Sequence, residues 1–326
     1  MRILNEGCCR KHYLAKCHEA LRTGLIAMFD ARCFGKGYPG YLFHPFVQSY
    51  PHLVRHVFPD GTPDLVLADW HYPKSREPFA YKGMAALDTR KAFILGDYWE
   101  SSESLIEPFV EQVLRHHVDL IFSYFPQPLD LWKESQIAGR FRWLPPCFDP
   151  HIFNDWQMPK CYDIGFLAFG TVDRHRCYPE RHAMHNQLLA CKQWRYLWAE
   201  HPGWKWFKRE HPLVGVNFSK AINSCRLFVT TSGIFHNPQP KYFEALASKT
   251  VLLADEPVGA AALGLKDGVN YVKISEETLL DKVNYYLAHP DECEAIAEAG
   301  YGLAMSRHQC FARALDFRSL VYDRVV

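Results

Sequence analysis

The stretch from Val229 to Pro257, VTTSGIFHNPQPKYFEALASKTVLLADEP, constrains the fold of this chain more than any other. Arg226 to Thr231 is an apolar, β-branched run and predicts a buried strand. Ser232 to Gln239 predicts a loop. Pro240 opens a helix, because its missing N–H would be unpaired in a first helical turn anyway. That helix runs through Lys241, Glu244 and Ser248, and Thr250 to Ala254 predicts the next buried strand. A loop that leaves a strand and ends on a helix N-terminus offers free N–H groups and a positive dipole end to an anion. In an open parallel sheet this is the usual place for a ligand.

At 326 residues the chain is long enough for two such units with real cores. Lys+Arg 37 against Asp+Glu 36 leaves a net charge of +1, so no polyanion footprint follows. The 15% aromatic content fits either core filling or stacking walls in a cleft. Eleven cysteines include no C-x-x-C pair, which speaks against a zinc site. The opening MRILNEGCCRKH has too short an apolar run for a signal peptide, and no stretch approaches a membrane span. Reduced cysteines and a cytoplasmic protein are therefore expected.

Read in order, Arg2–Asn5 predicts a strand, Lys11–Thr23 a helix ended by Gly24, and Leu25–Asp30 a second strand. Residues 34–60 predict a long loop with short helical pieces. Strands follow at Asp64–Asp69, Lys91–Gly96, Asp119–Ser123 and Phe141–Pro145, with helices at Ser104–His117 and Gln127–Ser135. A second β/α series starts at Tyr162–Phe166, continues with a helix from Arg181 and a helix and strand within Trp194–Trp206, and reaches the opening stretch. Glu276–Ala288, Asp291–His308 and Phe311–Val326 predict closing helices. The expected fold is α/β, with two Rossmann-like domains facing a cleft: residues 1–157, residues 158–310, and a last helix, 311–326, crossing back to the first domain.

Four segments of the second half carry a family resemblance: Leu144-Pro-Pro-Cys-Phe-Asp-Pro-His-Ile-Phe153; Tyr162-Asp-Ile-Gly-Phe166 with Tyr178-Pro-Glu-Arg181; Lys241-Tyr-Phe-Glu-Ala-Leu-Ala247; and Gly264 to Asn270 with Ser306-Arg-His308 and Arg313. In this order and spacing they resemble group-one-like, spore-maturation-type glycosyltransferases of the B fold. The first 140 residues match only in β/α layout. The resemblance implies a metal-independent sugar transferase that uses a nucleotide-sugar donor as co-substrate and no cofactor. The donor would sit in the C-terminal domain and the acceptor in the N-terminal one.

Carried onto this sequence, the resemblance makes Glu244 the carboxylate for the ribose hydroxyls, against a plain solvated helix-face acid. It makes Lys241 a phosphate contact where the family often has Arg, a change that loses the bidentate fork. Arg181 becomes the diphosphate arginine, with Arg174 and Arg176 as substitutes in the same loop, and Ser232 and Gly233 bring backbone N–H groups to the donor. Many relatives carry two glutamates eight positions apart, but here the first is His236, so sugar choice and stereochemistry stay open. In the first half Asp97, just past its strand, is the candidate general base. Trp99, Glu100, Asp69 and His71 are acceptor-side candidates at neighbouring strand ends, and Gly7 either leaves room for substrate or makes a simple turn. No HExxH, Walker loop or GxGxxG fingerprint is present, which weighs against an oxidoreductase. The acceptor, whether glycan, small molecule, protein or modified DNA base, stays open. So do a DNA-modifying transferase, a non-catalytic binding module and an epimerase of the same fold.

Overall fold

The computed structural model of the chain describes residues 1–7, 17–35, 37–38, 49–69, 82–95, 106–200 and 213–323. They cluster into two compact units. The first comprises Met1–Lys11, Leu21–Pro145 and Arg313–Val326; the second comprises His12–Ala20 and Pro146–Ala312.

In the first unit the elements run β1 (Arg2–Glu6), α1 (Cys17–Met28), β2 (Asp30–Phe34), α2 (Tyr50–Val57), β3 (Leu65–Asp69), β4 (Arg90–Leu95), α3 (Ile106–Arg115), β5 (Leu120–Ser123), α4 (Gln127–Leu131) and β6 (Phe141–Trp143). All six strands are parallel, in the order β2-β1-β3-β4-β5-β6. The central strands β3 and β4 are buried on both faces, which is why they read as near-continuous hydrophobic runs. One aromatic group fills the core beside α3, with Trp132 stacked on Phe141 at 5.5 Å and Phe109 at 4.9 Å from Trp132. Phe317, in the segment Arg313–Val326, packs 4.6 Å from Phe122 of β5.

The start of the chain departs from the sequence reading. Gly24 does not end α1; the helix continues to Met28, and the second strand is Asp30–Phe34 rather than Leu25–Asp30. Leu21, Arg22, Gly24 and Leu25 are buried while Ile26, Ala27 and Met28 are exposed. That is a 3.6-residue pattern, and a tertiary contact face outweighs the cost of about 1 kcal/mol for a mid-helix glycine.

The second unit contains β7 (Tyr162–Ala168), α5 (Pro179–Ala190), β8 (Tyr196–Glu200), α6 (Gly215–Asn223), β9 (Cys225–Thr230), α7 (Pro240–Ala247), β10 (Val251–Ala254), α8 (Ala260–Leu263), β11 (Val272–Lys273), α9 (Leu279–Ala288) and α10 (Pro290–Leu303). A π-helical turn, Ala304–His308, follows, and α11 (Cys310–Tyr322) closes the described chain. The five parallel strands lie in the order β11-β10-β9-β7-β8. Of the tryptophan-rich segment, residues 194–200 are described and supply the strand β8, while 201–206 lie outside the described residues.

Numbered within each unit, both sheets share one order, 2-1-3-4-5, extended in the first by a sixth strand. The order reverses between the first and third strands. The crevice at the carboxyl ends of that pair is where an open α/β sheet takes its ligand. In the first unit these ends are Asn5–Gly7 and Asp69.

There Arg22, on α1, donates to both oxygens of Asp69 at 2.8 and 2.7 Å and to Asn5 Oδ1 at 3.4 Å. Arg22 and Asp69 are both buried. Gly7 is the space this pair occupies: a Cβ there would lie 2.2 Å from the Arg22 guanidinium and 2.5 Å from Asp69 Oδ2. Gly7→Ala is therefore expected to destabilise the protein by about 3–5 kcal/mol in urea unfolding, the scale of a broken buried ion pair. Gly139→Ala, with nothing within 4 Å of the added carbon, serves as the neutral control.

Candidate functional site

The matching crevice of the second unit lies between the ends of β7 and β9. An arginine again bridges it, from the helix that follows the first strand. Arg181 on α5 donates from Nη1 to the carbonyl of Phe169 at 2.9 Å, just past β7. It donates from Nε to Thr231 Oγ1 at 3.0 Å and from Nη2 to the Thr231 carbonyl at 2.8 Å, just past β9. Its guanidinium carbon stacks 3.4 Å from the centre of the Tyr178 ring. Burial pushes the pKa of this guanidinium down, while Tyr178, Tyr242 and Asp255 oppose the shift. Arginine stays charged in such a setting because its reference pKa is so high.

The two loops joined by Arg181 also touch directly. Ile234 donates its N–H to Cys177 O at 3.0 Å. Gly233 has φ +77, and a Cβ on it would lie 2.5 Å from Cys177 O and 2.8 Å from the Tyr178 ring. Only glycine meets both demands.

Behind the loop after β9 stands Asp255, at the end of β10. Its Oδ1 accepts the Ser232 N–H at 2.7 Å and the Tyr242 hydroxyl at 2.8 Å, and its Oδ2 accepts the Ser232 hydroxyl. His236 Nδ1 lies 3.5 Å from the same Oδ2, and the His236 side chain is 58% exposed. The His236 backbone is left-handed, at φ 48. It is held by its N–H on Gly233 O at 2.9 Å and by Val258 N–H on its carbonyl at 2.7 Å. Such a conformation is uncommon for a residue with a Cβ and persists where the surroundings over-determine it. Glu180, half-buried at the start of α5, has its pKa raised by burial and by Asp255, while His236 and Arg181 pull it down. Glu180, His236 and Asp255 thus form one electrostatic group.

On α7, Glu244 is buried and Lys241 half-buried, three residues apart and on one helix face. The Lys241 ammonium sits 5.0 Å from the centre of the Phe218 ring. Burial pushes its pKa down to about 8, with Glu244 opposing and Arg181 reinforcing the shift.

The structure therefore brings Arg181, Ser232, Gly233, His236, Lys241 and Glu244 to the carboxyl ends of β7, β9 and β10, but not in equal roles. Arg181 is a brace: all three of its nitrogens donate to protein oxygens and its side chain is buried. The Ser232 N–H is already spent on Asp255. Arg174 and Arg176, by contrast, are exposed in the β7 loop. Asp69 is bound up with Arg22, so its carboxylate is not presented for an acceptor, and Gly7 makes room for that ion pair rather than for substrate. Asp97, Trp99, Glu100 and His71 lie outside the described residues. Asp255 was missed in the sequence. Its signal was weak, a lone acid one residue past a strand end, where acids commonly cap or turn. Among the described residues no group of three or more His, Cys, Asp or Glu side chains is placed to hold a metal ion. None of the described helices is long and apolar enough to cross a membrane.

Residues 180–319, from the start of α5 into α11, match the family described as Glycosyl transferase-like. Over that segment the chain is similar to glycosyl transferase-like sequences. Solved structures extend the likeness to the whole chain. HepE of Anabaena, in complex with UDP and glucose, aligns over 99% of this chain and 100% of its own with a TM-score of 0.65 at 14% identity. Sucrose-phosphate synthase from Thermosynechococcus elongatus aligns over 98% of both chains with a TM-score of 0.61 at 12% identity. A glycosyltransferase from Rickettsia africae aligns over 99% of both with a TM-score of 0.60 at 9% identity. At these identities the likeness establishes the fold: two Rossmann-like α/β units of the glycosyltransferase-B type. No curated protein sequence matches this one.

The candidate site of the second unit thus depends on a buried brace. Arg181→Met would leave three carbonyl or hydroxyl oxygens of Phe169 and Thr231 without their donors. A loss of at least about 3 kcal/mol is expected in denaturant unfolding, since each abandoned buried acceptor costs roughly 1–3 kcal/mol. A loss below about 0.5 kcal/mol would show that the two loops do not need the guanidinium.

Proposed function

We propose that this protein moves a sugar from a nucleotide-diphosphate sugar to an acceptor, with the donor at the carboxyl ends of β7, β9 and β10. The observation that carries the reading is a coincidence of place. The segment that matches glycosyl transferase-like sequences supplies the β9 and β10 side of the crevice where a parallel sheet takes its ligand, together with Arg181, Lys241, Glu244 and the His236 loop. HepE, of the same fold, has been solved with UDP and with UDP-glucose. A UDP-hexose is accordingly the first donor to try.

In this reading Glu244 accepts hydrogen bonds from the ribose hydroxyls. Lys241 meets the diphosphate, joined by Arg174 or Arg176 from the β7 loop. Arg181 keeps that loop in register without touching the ligand. His236, oriented by Asp255, faces the donor sugar. When the glycosidic bond to phosphate breaks, negative charge grows on the leaving diphosphate, and fixed cations and N–H groups lower the barrier there. The acceptor belongs to the first unit, with Asp97 as the candidate base and Trp99, Glu100 and His71 as candidate acceptor contacts. No cofactor or metal takes part, so activity should survive EDTA. The free thiols described in the chain suit a cytoplasmic protein.

Thermal unfolding with UDP, GDP, dTDP and ADP tests the donor site. The matching nucleotide at 100 times its Kd should add about 2.7 kcal/mol of stability. Glu244→Ala and Lys241→Ala should remove most of that gain. No shift with any nucleoside diphosphate would overturn the reading, and binding without turnover of any nucleotide sugar would leave a binding module.

The Lys241 pKa adds a pH signature. The folded value, about 8, lies below the ordinary 10.5, so the charged ammonium costs stability at neutral pH and the cost fades as pH rises from 8 toward 10.5. A diphosphate binds the charged form. Nucleotide affinity should therefore fall as pH rises through about 8 in the native protein, and isothermal titration of Lys241→Met should show no such fall.

A further inference from the structure

The last residue of β8 places a carboxylate in a cradle of donors. Glu200 Oε1 accepts the N–H of Gly170 at 2.7 Å. Its Oε2 accepts the N–H groups of Thr171 and Val172, each at 3.1 Å, and the Thr171 hydroxyl at 2.5 Å. Three successive backbone N–H groups converging on one point make a nest, an anion-binding concavity. Gly170 turns the chain into it with φ +79, and a Cβ there would lie 2.9 Å from His175 Cβ.

The rest of the loop fixes the shape of this nest from behind. Arg181 holds the carbonyl of Phe169, one residue before it, and His182 Nδ1 lies 3.1 Å from the carbonyl of Thr171 within it. Burial raises the Glu200 pKa, but the Thr171 hydroxyl and the three N–H groups outweigh burial and hold it below the usual carboxylate range. The carboxyl is therefore anionic at neutral pH. The hydrogen bonds to the Glu200 carboxylate among the described residues come from this nest and from the Thr171 hydroxyl beside it. The nest sits at the carboxyl end of β7, beside the point where strand order reverses, and Arg174 and Arg176 are exposed in the same loop.

We infer that Gly170–Val172 is an oxyanion site whose resident occupant is the Glu200 carboxylate, so that a phosphate-class ligand binds there by displacing an internal competitor. The existence of the site stands on the nest alone; that its ligand is the diphosphate of a sugar donor rests on the function proposed above. A diphosphate presents the same kind of acceptor oxygens as a carboxylate, carries more charge, and meets the loop arginines as well. Free protein would thus keep the nest filled and the loop ordered, and ligand affinity would carry the cost of moving Glu200 aside.

The test uses the full chain and inorganic pyrophosphate. Glu200→Gln keeps the side-chain shape and removes its charge. Pyrophosphate should bind this variant about tenfold more tightly than the native protein, a gain of about 1.4 kcal/mol. In both proteins the amide resonances of Gly170, Thr171 and Val172 should move on titration. Equal or weaker binding to the variant overturns the inference. If the variant does not fold, the native titration decides: unmoved amides at 170–172 overturn it, and moved ones support it. UDP measured in parallel separates the two proposals. Native UDP binding with no gain for pyrophosphate in the variant defeats only the competitor. A pyrophosphate gain with no nucleotide binding defeats only the function.

Discussion

Arg181 ties the carbonyl after the first strand of the second sheet to the hydroxyl and carbonyl after the third, at the one place where two neighbouring strands diverge to opposite sides of the sheet order. Much of the candidate site hangs from that tie. It holds the β7 loop, whose N–H groups form the nest around Glu200. It also holds the start of the β9 loop, where Gly233 lies against Cys177 and Tyr178. The first unit closes its own reversal point in the same manner. Arg22, also from the helix after the first strand, reaches the ends of strands one and three through Asn5 and Asp69. Two sheets of one topology thus place a buried guanidinium at the same crevice, satisfied by side-chain oxygens in the first and by two carbonyls and a hydroxyl in the second. A guanidinium is suited to it, because its planar fork serves several acceptors at once and it keeps its charge when buried.

The second tier is Asp255. It gathers the Ser232 N–H and hydroxyl, the Tyr242 hydroxyl and the imidazole of His236, and so couples the end of β10 to the loop after β9 and to α7. A carboxylate with this many donors is itself fixed, and it can fix the ring that leans on it. His236 is left-handed in the backbone and open to solvent at its side chain, which marks it as a residue held for its position.

Much of the fold was legible because parallel strands buried on both faces write themselves as short apolar runs. β3, β4, β7, β9 and β10 were all readable in this way. The exception came at Gly24, where a residue that usually ends helices lies inside one because its neighbours bury a helical face. The site was legible in place and less so in role. Helix α7 with Lys241 and Glu244 stood where strand, loop and proline put it. Whether an arginine binds a ligand or a pair of carbonyls is decided by burial, however, and no local pattern distinguishes Arg181 from Arg174. Asp69 shows the same limit, since its partner Arg22 lies 47 residues away. Glu200 and Asp255 act only through contacts made across the sheet, so nothing in their immediate sequence marks them.

The loops joined by Arg181 are the proposed nucleotide-sugar site. Amide hydrogen exchange of the full chain with and without UDP-glucose tests it most directly. Protection concentrated at 169–172 and 232–244, with the core strands unchanged, is the predicted result. UDP-glucose that binds while leaving those segments unprotected, or that protects the chain elsewhere, would contradict it.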